Sequence, residues 1–144
     1  MIQQMQASDI DGLVDLALAL WPDHSRKEMA AEFAPLLVAE DAAVFGWKEK
    51  DRWEAFAQCQ LRHDYVEGCE TSPVGYLEGI FVREPFRGKG IARALLGACQ
   101  DWARARGCTE FASYCELDNE DSLRFHLAAG FAEAGRIICF TKRL

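Results

Sequence analysis

No Cys-x-x-Cys pair occurs among the six cysteines, Cys59, Cys69, Cys99, Cys108, Cys115 and Cys139, and no Cys and His stand at zinc-ligand spacing. A metal site is therefore not expected, and most of these cysteines read as small core residues. No apolar run reaches membrane-spanning length, and Met1-Ile2-Gln3-Gln4 lacks the pattern of a signal peptide. A cytoplasmic protein with reduced thiols and no membrane partner is expected. Basic residues are the minority: 16 Lys and Arg stand against 23 Asp and Glu, a net charge of −7 that disfavours nucleic-acid backbones as partners. The same field attracts a small polycation, and it serves solubility equally well. Proline is scarce, at 4 residues, while 50% of the chain is hydrophobic, which is enough apolar surface to offset chain entropy. A length of 144 residues fits one domain spanning 1–144, so any active site must be built on its single core.

The apolar periodicity changes along the chain. Ser8-Asp9-Ile10-Asp11 reads as a capped helix start, with Leu13, Leu16, Ala17 and Leu20 at helical spacing until Trp21-Pro22 stops it. Ser25-Arg26-Lys27-Glu28 is a second capping box, leading into a helix that Pro35 kinks or shortens. Two extended segments follow, Ala42–Glu49 and Trp53–Arg62, joined by a polar hairpin turn. After a loop from His63 to Pro73, the apolar run Val74–Val82 suits the centre of a sheet, with Glu78 as its odd member. Ile91, Leu95, Ala98 and Trp102 then mark the clearest helix, closed by Arg104, Arg106 and Gly107. A short strand over Thr109–Tyr114, a helix over Ser122–Ala129 and a last strand over Arg136–Lys142 complete the expectation. Strands alternating with helices in this way predict a mixed sheet with helices packed on it, in the α/β or α+β class.

Chemistry concentrates where the central strand meets the clearest helix. Arg87-Gly88-Lys89-Gly90-Ile91-Ala92 is a glycine turn opening a helix, which aims several backbone N–H groups and the positive end of the helix dipole at one spot, a ready site for a pyrophosphate. Arg87 and Lys89 add charge. A Walker A loop needs Ser or Thr after its Gly-Lys, and here Gly90 follows; a dinucleotide fingerprint needs three glycines, and this turn has two.

The pattern that remains, Arg-x-x-Gly-x-Ala at Arg87, Gly90 and Ala92, resembles the acyl-CoA signature of the GNAT superfamily of N-acetyltransferases. Trp21-Pro22-Asp23-His24, Arg62-His63-Asp64-Tyr65-Val66-Glu67-Gly68-Cys69, Ser72-Pro73, Leu77-Glu78-Gly79-Ile80-Phe81-Val82, Phe86-Arg87, Gly107-Cys108 and Ala129-Gly130-Phe131 extend the resemblance, in order and over nearly the whole chain, to the aminoglycoside 6′-N-acetyltransferases. The resemblance implies a fold in which the central strand and its neighbour splay apart to take the pantetheine arm of acetyl-CoA. Backbone groups of Ile80, Phe81 and Val82 would line the arm, the turn Arg87–Ala92 would hold the pyrophosphate, and Asn119 would contact the coenzyme, although Asn119 equally suits a helix cap.

The implied reaction is direct attack of a substrate amine on the acetyl thioester, with Glu78 accepting the amine proton and the N–H of Val82 steadying the oxyanion. Strict period-two alternation puts Glu78 and Ile80 on one face. By the same resemblance Trp21, His24, Tyr65 and Tyr114 line the cleft for a cationic aminoglycoside, with Asp64, Glu67 and Glu70 nearby. Trp21 equally suits a helix-end core residue, His24 a turn, and the loop acids a solvated surface. Tyr114 stands where the family pattern leads one to expect a substrate-binding aspartate. Phe125-His126 stands where many relatives carry a tyrosine that protonates the leaving thiolate, so catalysis is expected to rest on positioning. A homodimer is expected, with Arg136–Lys142 at the interface. Two other functions compete with this one: acetyl transfer to a different small amine or a protein amine, and a non-catalytic acyl-CoA sensor.

Overall fold

The computed structural model describes residues 1–144. Five strands, β1 (Ile2–Gln4), β2 (Ala42–Glu49), β3 (Arg52–Arg62), β4 (Val74–Val82) and β5 (Phe111–Ala112), lie in that spatial order in one sheet. All neighbours are antiparallel except β4 and β5, which run parallel. The helices are α1 (Ile10–Leu20), α2 (Arg26–Phe33), α3 (Ile91–Ala105) and α4 (Glu120–Ala128). The mixed α/β architecture follows from strands too apolar to leave either face in water.

One face of the sheet is covered by α3. Ala55, Ala57 and Cys59 of β3 are fully buried there, and their small side chains leave room for Leu95, Leu96, Cys99 and Trp102 of the helix. Burying a side chain such as Leu95, with 0% exposure, contributes about 1.5–3 kcal/mol. On the other face α1 and α2 pack Leu13, Val14, Leu16, Met29 and Phe33 over Val44 and Phe56.

Local signals set most boundaries. The Ser25 Oγ accepts the N–H of Glu28 at 3.1 Å and starts α2, which ends at Phe33, before Pro35. Ser8 does not cap α1; a 3-10 turn over Ala7–Asp9 precedes that helix, and the Asp9 carboxylate accepts the N–H of Gln6 at 2.8 Å instead. The hairpin turn is made with Lys50 at a φ of 54°.

Three further expectations are corrected, and one unexpected strand is added. The strand expected over Thr109–Tyr114 shrinks to Phe111–Ala112, because β4 diverges from it after two paired residues. The strand expected over Arg136–Lys142 is absent. The chain passes the loop at Glu67 and Gly68, where Ala134 and Gly135 meet it, and then forms no ladder, leaving Ile137, Ile138 and Phe140 exposed at 76%, 81% and 91%. Three of the six cysteines, Cys59, Cys99 and Cys108, are core residues, whereas Cys69 and Cys115 are half-buried and Cys139 is exposed. The first strand, Ile2–Gln4, carries no signal of its own in so short a polar run and is defined by its partner, with Gln3 opposite Gly46.

Candidate active site

The parallel ladder between β4 and β5 joins Gly75 to Phe111 and Tyr76 to Ala112, and then the strands part. A bulge in β4 accompanies the split: Gln58 faces Gly79 and Cys59 faces Leu77, which leaves Glu78 as the extra residue. The N–H of Arg83 donates to the Glu54 carbonyl at 3.0 Å. Antiparallel alternation from that bond turns the amides of Phe81 and Gly79 toward β3 and those of Ile80 and Val82 away from it, into the fork. The Ser113 hydroxyl sits at the closed end of the fork, 3.5 Å from the Leu77 carbonyl and 2.8 Å from Nε2 of His126. Nδ1 of His126 lies 2.7 Å from the Ser122 carbonyl, so that nitrogen carries the hydrogen.

At the open end of the fork a short turn over Glu84–Phe86 leads to Gly88 and Gly90, at φ values of 76° and 80° that favour glycine. Nothing lies within 4 Å of where a side chain would begin at either glycine. Gly90 precedes α3 directly and no side chain caps the helix, so the N–H groups of its first turn point at an open surface. Nε of Arg87 donates to the Val82 carbonyl at 2.8 Å, tying the turn to the end of β4. The Lys89 ammonium lies 5.3 Å from the centre of the Phe86 ring. Beside the turn a cavity of about 460 Å³ is lined by Arg52, Glu54, Phe81, Arg83 and Arg87. Glu54 is buried there with its charge met by Arg83 at 3.2 Å and Arg52 at 3.5 Å, a pairing that a buried carboxylate requires. Anion-seeking amides at one end and two strand amides facing the gap suit an extended chain bearing a pyrophosphate.

The bulge overturns the alternation expected of Glu78 and Ile80. Leu77, Ile80 and Val82 join the cluster under α3, whereas the Glu78 carboxylate receives Nε and Nη2 of Arg62, each at 2.9 Å, on the opposite face. The Arg62 guanidinium lies 3.5 Å above the ring of buried Tyr76, and Tyr76 stands 6.3 Å from Tyr114 between ring centres. Burial pushes the Tyr76 phenol above its ordinary pKa.

Trp21 is half-buried against Phe33 and Phe56, with ring centres 6.2 and 6.3 Å away, and its ring also touches Gly79 of β4. Tyr65 is exposed and donates to Glu67 at 3.3 Å, yet it shares a cavity of about 390 Å³ with Gln60, Arg62 and Asp64. Nδ1 of His24 lies 3.2 Å from Glu28, whose carboxyl that contact holds below its ordinary pKa. Asn119 is a helix cap, its Oδ1 accepting the N–H of Ser122 at 3.1 Å. The fold thus gathers Glu78, Trp21, Tyr65 and Tyr114 around the bulged strand, and His24 follows Trp21, its N–H donating to the Trp21 carbonyl at 3.3 Å.

Arg62, Tyr76 and Ser113 are the residues that sequence reasoning did not place in the site, whereas the sequence puts His126 at the position expected of the leaving-group acid. One signal for Arg62 was available: Gln58, Gln60 and Arg62 alternate with apolar Ala57, Cys59 and Leu61 along the second half of β3, and all three are half-buried.

The family model described as the acetyltransferase (GNAT) family matches residues 10–131. The aminoglycoside N(6′)-acetyltransferase type 1 of Serratia marcescens is 41% identical over 137 residues, covering 94% of this chain and 94% of that protein. The protein of the same description from Salmonella typhimurium is 39% identical over 142 residues, covering 99% and 98%. Among solved structures, AAC(6′)-Iy in complex with the bisubstrate analog CoA-S-monomethyl-acetylneamine superposes with a TM-score of 0.95 at 38% identity, over 100% of this chain and 98% of that one. AAC(6′)-Ih from Acinetobacter baumannii gives 0.93 at 34% identity, over 100% and 98%. The forked sheet, the glycine turn and these likenesses together place the chain in the acetyltransferase (GNAT) family, among the aminoglycoside N(6′)-acetyltransferases.

Proposed function

We propose that this single domain transfers the acetyl group of acetyl-CoA to the 6′-amine of an aminoglycoside. The observation that carries the reading is the fork: two unpaired strand amides, at Ile80 and Val82, run from the uncapped start of α3 toward a carboxylate at Glu78. In this reading the turn Arg87–Ala92 holds the pyrophosphate, and Ile80, Phe81 and Val82 flank the arm. Asn119 contributes at the start of α4. The substrate amine attacks the thioester carbon as Glu78 takes its proton; the N–C bond forms, the C–S bond breaks, and the sulfur leaves as a thiolate that water protonates to the thiol of coenzyme A, while Glu78 returns its proton to solvent. The Val82 N–H steadies the oxygen on which charge develops. Trp21, Tyr65 and Tyr114 border the amine's approach, and His24 meets the outer part of a large substrate. The product has lost one positive charge and one ammonium donor, which is how acetylation weakens an aminoglycoside.

The test is release of free thiol from acetyl-CoA by the purified protein, offered a panel of aminoglycosides and, separately, simple polyamines. Rapid release with aminoglycosides that bear a 6′-amine is expected. Release with polyamines alone would assign a different amine acceptor, and acetyl-CoA binding with no release from any amine would make the chain a sensor.

We further infer that the protein is a cytoplasmic homodimer without nucleic-acid or membrane partners. Six free cysteines suit a reducing compartment, and a net charge of −7 repels nucleic-acid phosphates. Residues Arg136–Lys142 expose Ile137, Ile138 and Phe140 with no strand beside them, an edge that a second copy can cover. Light scattering at micromolar concentration is expected to give twice the chain mass, and the double change Ile138→Asp and Phe140→Asp is expected to halve it.

A further inference from the structure

Glu78 does not stand free in the fork. Nε and Nη2 of Arg62 donate to its two oxygens at 2.9 Å each, a fork-to-fork pair. The guanidinium is held in turn, its carbon 3.5 Å from the centre of the Tyr76 ring. Tyr76 is buried against Val66 and Val74, so its plane is set by the core. A carboxylate has about four lone-pair positions, and a bidentate arginine uses the two on one edge. The other two therefore point in a direction that Arg62 determines. The bulge makes this restraint necessary: Glu78 is the residue without a ladder partner, so its backbone alone aims the side chain poorly.

We propose that Arg62 is a positioning residue that aims Glu78 at the attacking amine, an inference that rests on the reading of Glu78 as the proton acceptor. Arg62 touches neither the amine nor the thioester in this scheme; it acts through the carboxylate. Lysine cannot replace it fully, because a point charge neither grips both oxygens nor stacks on Tyr76. Removing the guanidinium releases the carboxylate to other rotamers, and misplacing a reacting group by ~1 Å costs on the order of 10²-fold. The fold should tolerate the change, since the Arg62 side chain is 38% exposed and can be replaced without opening the core.

The experiment is a double-mutant cycle on the intact protein, with neamine and acetyl-CoA as substrates and thiol release as the readout. Arg62→Met is expected to lower kcat by about 10-fold to 100-fold while the acetyl-CoA dissociation constant and the melting temperature stay near wild type. Arg62→Lys is expected to recover part of kcat. In the Glu78→Gln background, Arg62→Met is expected to cause no further loss. An equal loss from Arg62→Met in both backgrounds would overturn the proposal, because Arg62 would then act independently of Glu78. Wild-type kcat in Arg62→Met, with Glu78→Gln impaired, would overturn it while leaving Glu78 as the base. Wild-type kcat in Glu78→Gln would instead remove the base assignment itself, and the positioning role with it.

Discussion

The Trp21 ring lies on the bare backbone of Gly79, so near that a methyl group there would meet Cη2 at 3.2 Å. A residue at the end of α1 thus forms part of the wall beside the bulged strand, while its other contacts, with Phe33 and Phe56, belong to the core. Trp21→Ala is expected to destabilise the fold by about 2–4 kcal/mol, somewhat less than a fully buried tryptophan would. Urea unfolding measures that loss. The same variant should raise KM for the aminoglycoside and leave acetyl-CoA affinity unchanged in calorimetry.

Gly90 holds a φ of 80° immediately before α3, with open space where a side chain would begin. Gly90→Val forces a β-branched residue into a left-handed conformation and places its methyl groups over the amides that face the pyrophosphate. The acetyl-CoA dissociation constant should rise more than about tenfold. Unchanged affinity by titration calorimetry would move the pyrophosphate elsewhere.

Glu78→Gln keeps the shape of the side chain and removes its basicity. A loss of roughly 10²-fold in kcat, with acetyl-CoA affinity retained, is the expected signature of a general base. A rise in KM for the amine with kcat intact would show that Glu78 binds the ammonium and does not take its proton.

Glu110 anchors the loop that carries Tyr65. Its carboxylate accepts the Thr71 hydroxyl and the amides of Thr71 and Glu70, the amides at 2.8 and 2.9 Å, and these bonds, the hydroxyl foremost, hold its pKa below the ordinary 4.5. A carboxyl whose pKa is lowered by folding stabilises the fold above its unfolded value, and that contribution is lost as pH falls through the lowered one. The protection of the Glu70 and Thr71 amides against hydrogen exchange, taken relative to the unfolded chain at the same pH, should therefore hold at neutral pH and begin to fall as pH drops below 4.5. Glu110→Gln should show the low protection at every pH, and a protection in the wild type that does not change with pH would exclude this anchor.

Periodicity and turn chemistry were enough to place α1, α2, α3, the hairpin and β4 within a residue or two, because in each the apolar spacing and a local stop or cap agree. The glycine turn was legible for the same reason: Gly88 and Gly90 act through their own backbone angles and the helix that follows. The bulge at Glu78 was not legible, since it arises from the register of β4 on β3, and that single extra residue reversed which face Glu78 shares with Ile80. Arg62 reached Glu78, 16 positions away in sequence, and the Tyr76 ring only through the pairing of β3 with β4. The sequence also showed an apolar, strand-like end at Arg136–Lys142, but a strand exists only where another can pair with it, and this chain by itself supplies none. Residue spacing determined the elements and the glycine turn; the pairing of the Glu78 carboxylate with Arg62 and the fate of the last segment depended on strand register and strand pairing that no local pattern encodes.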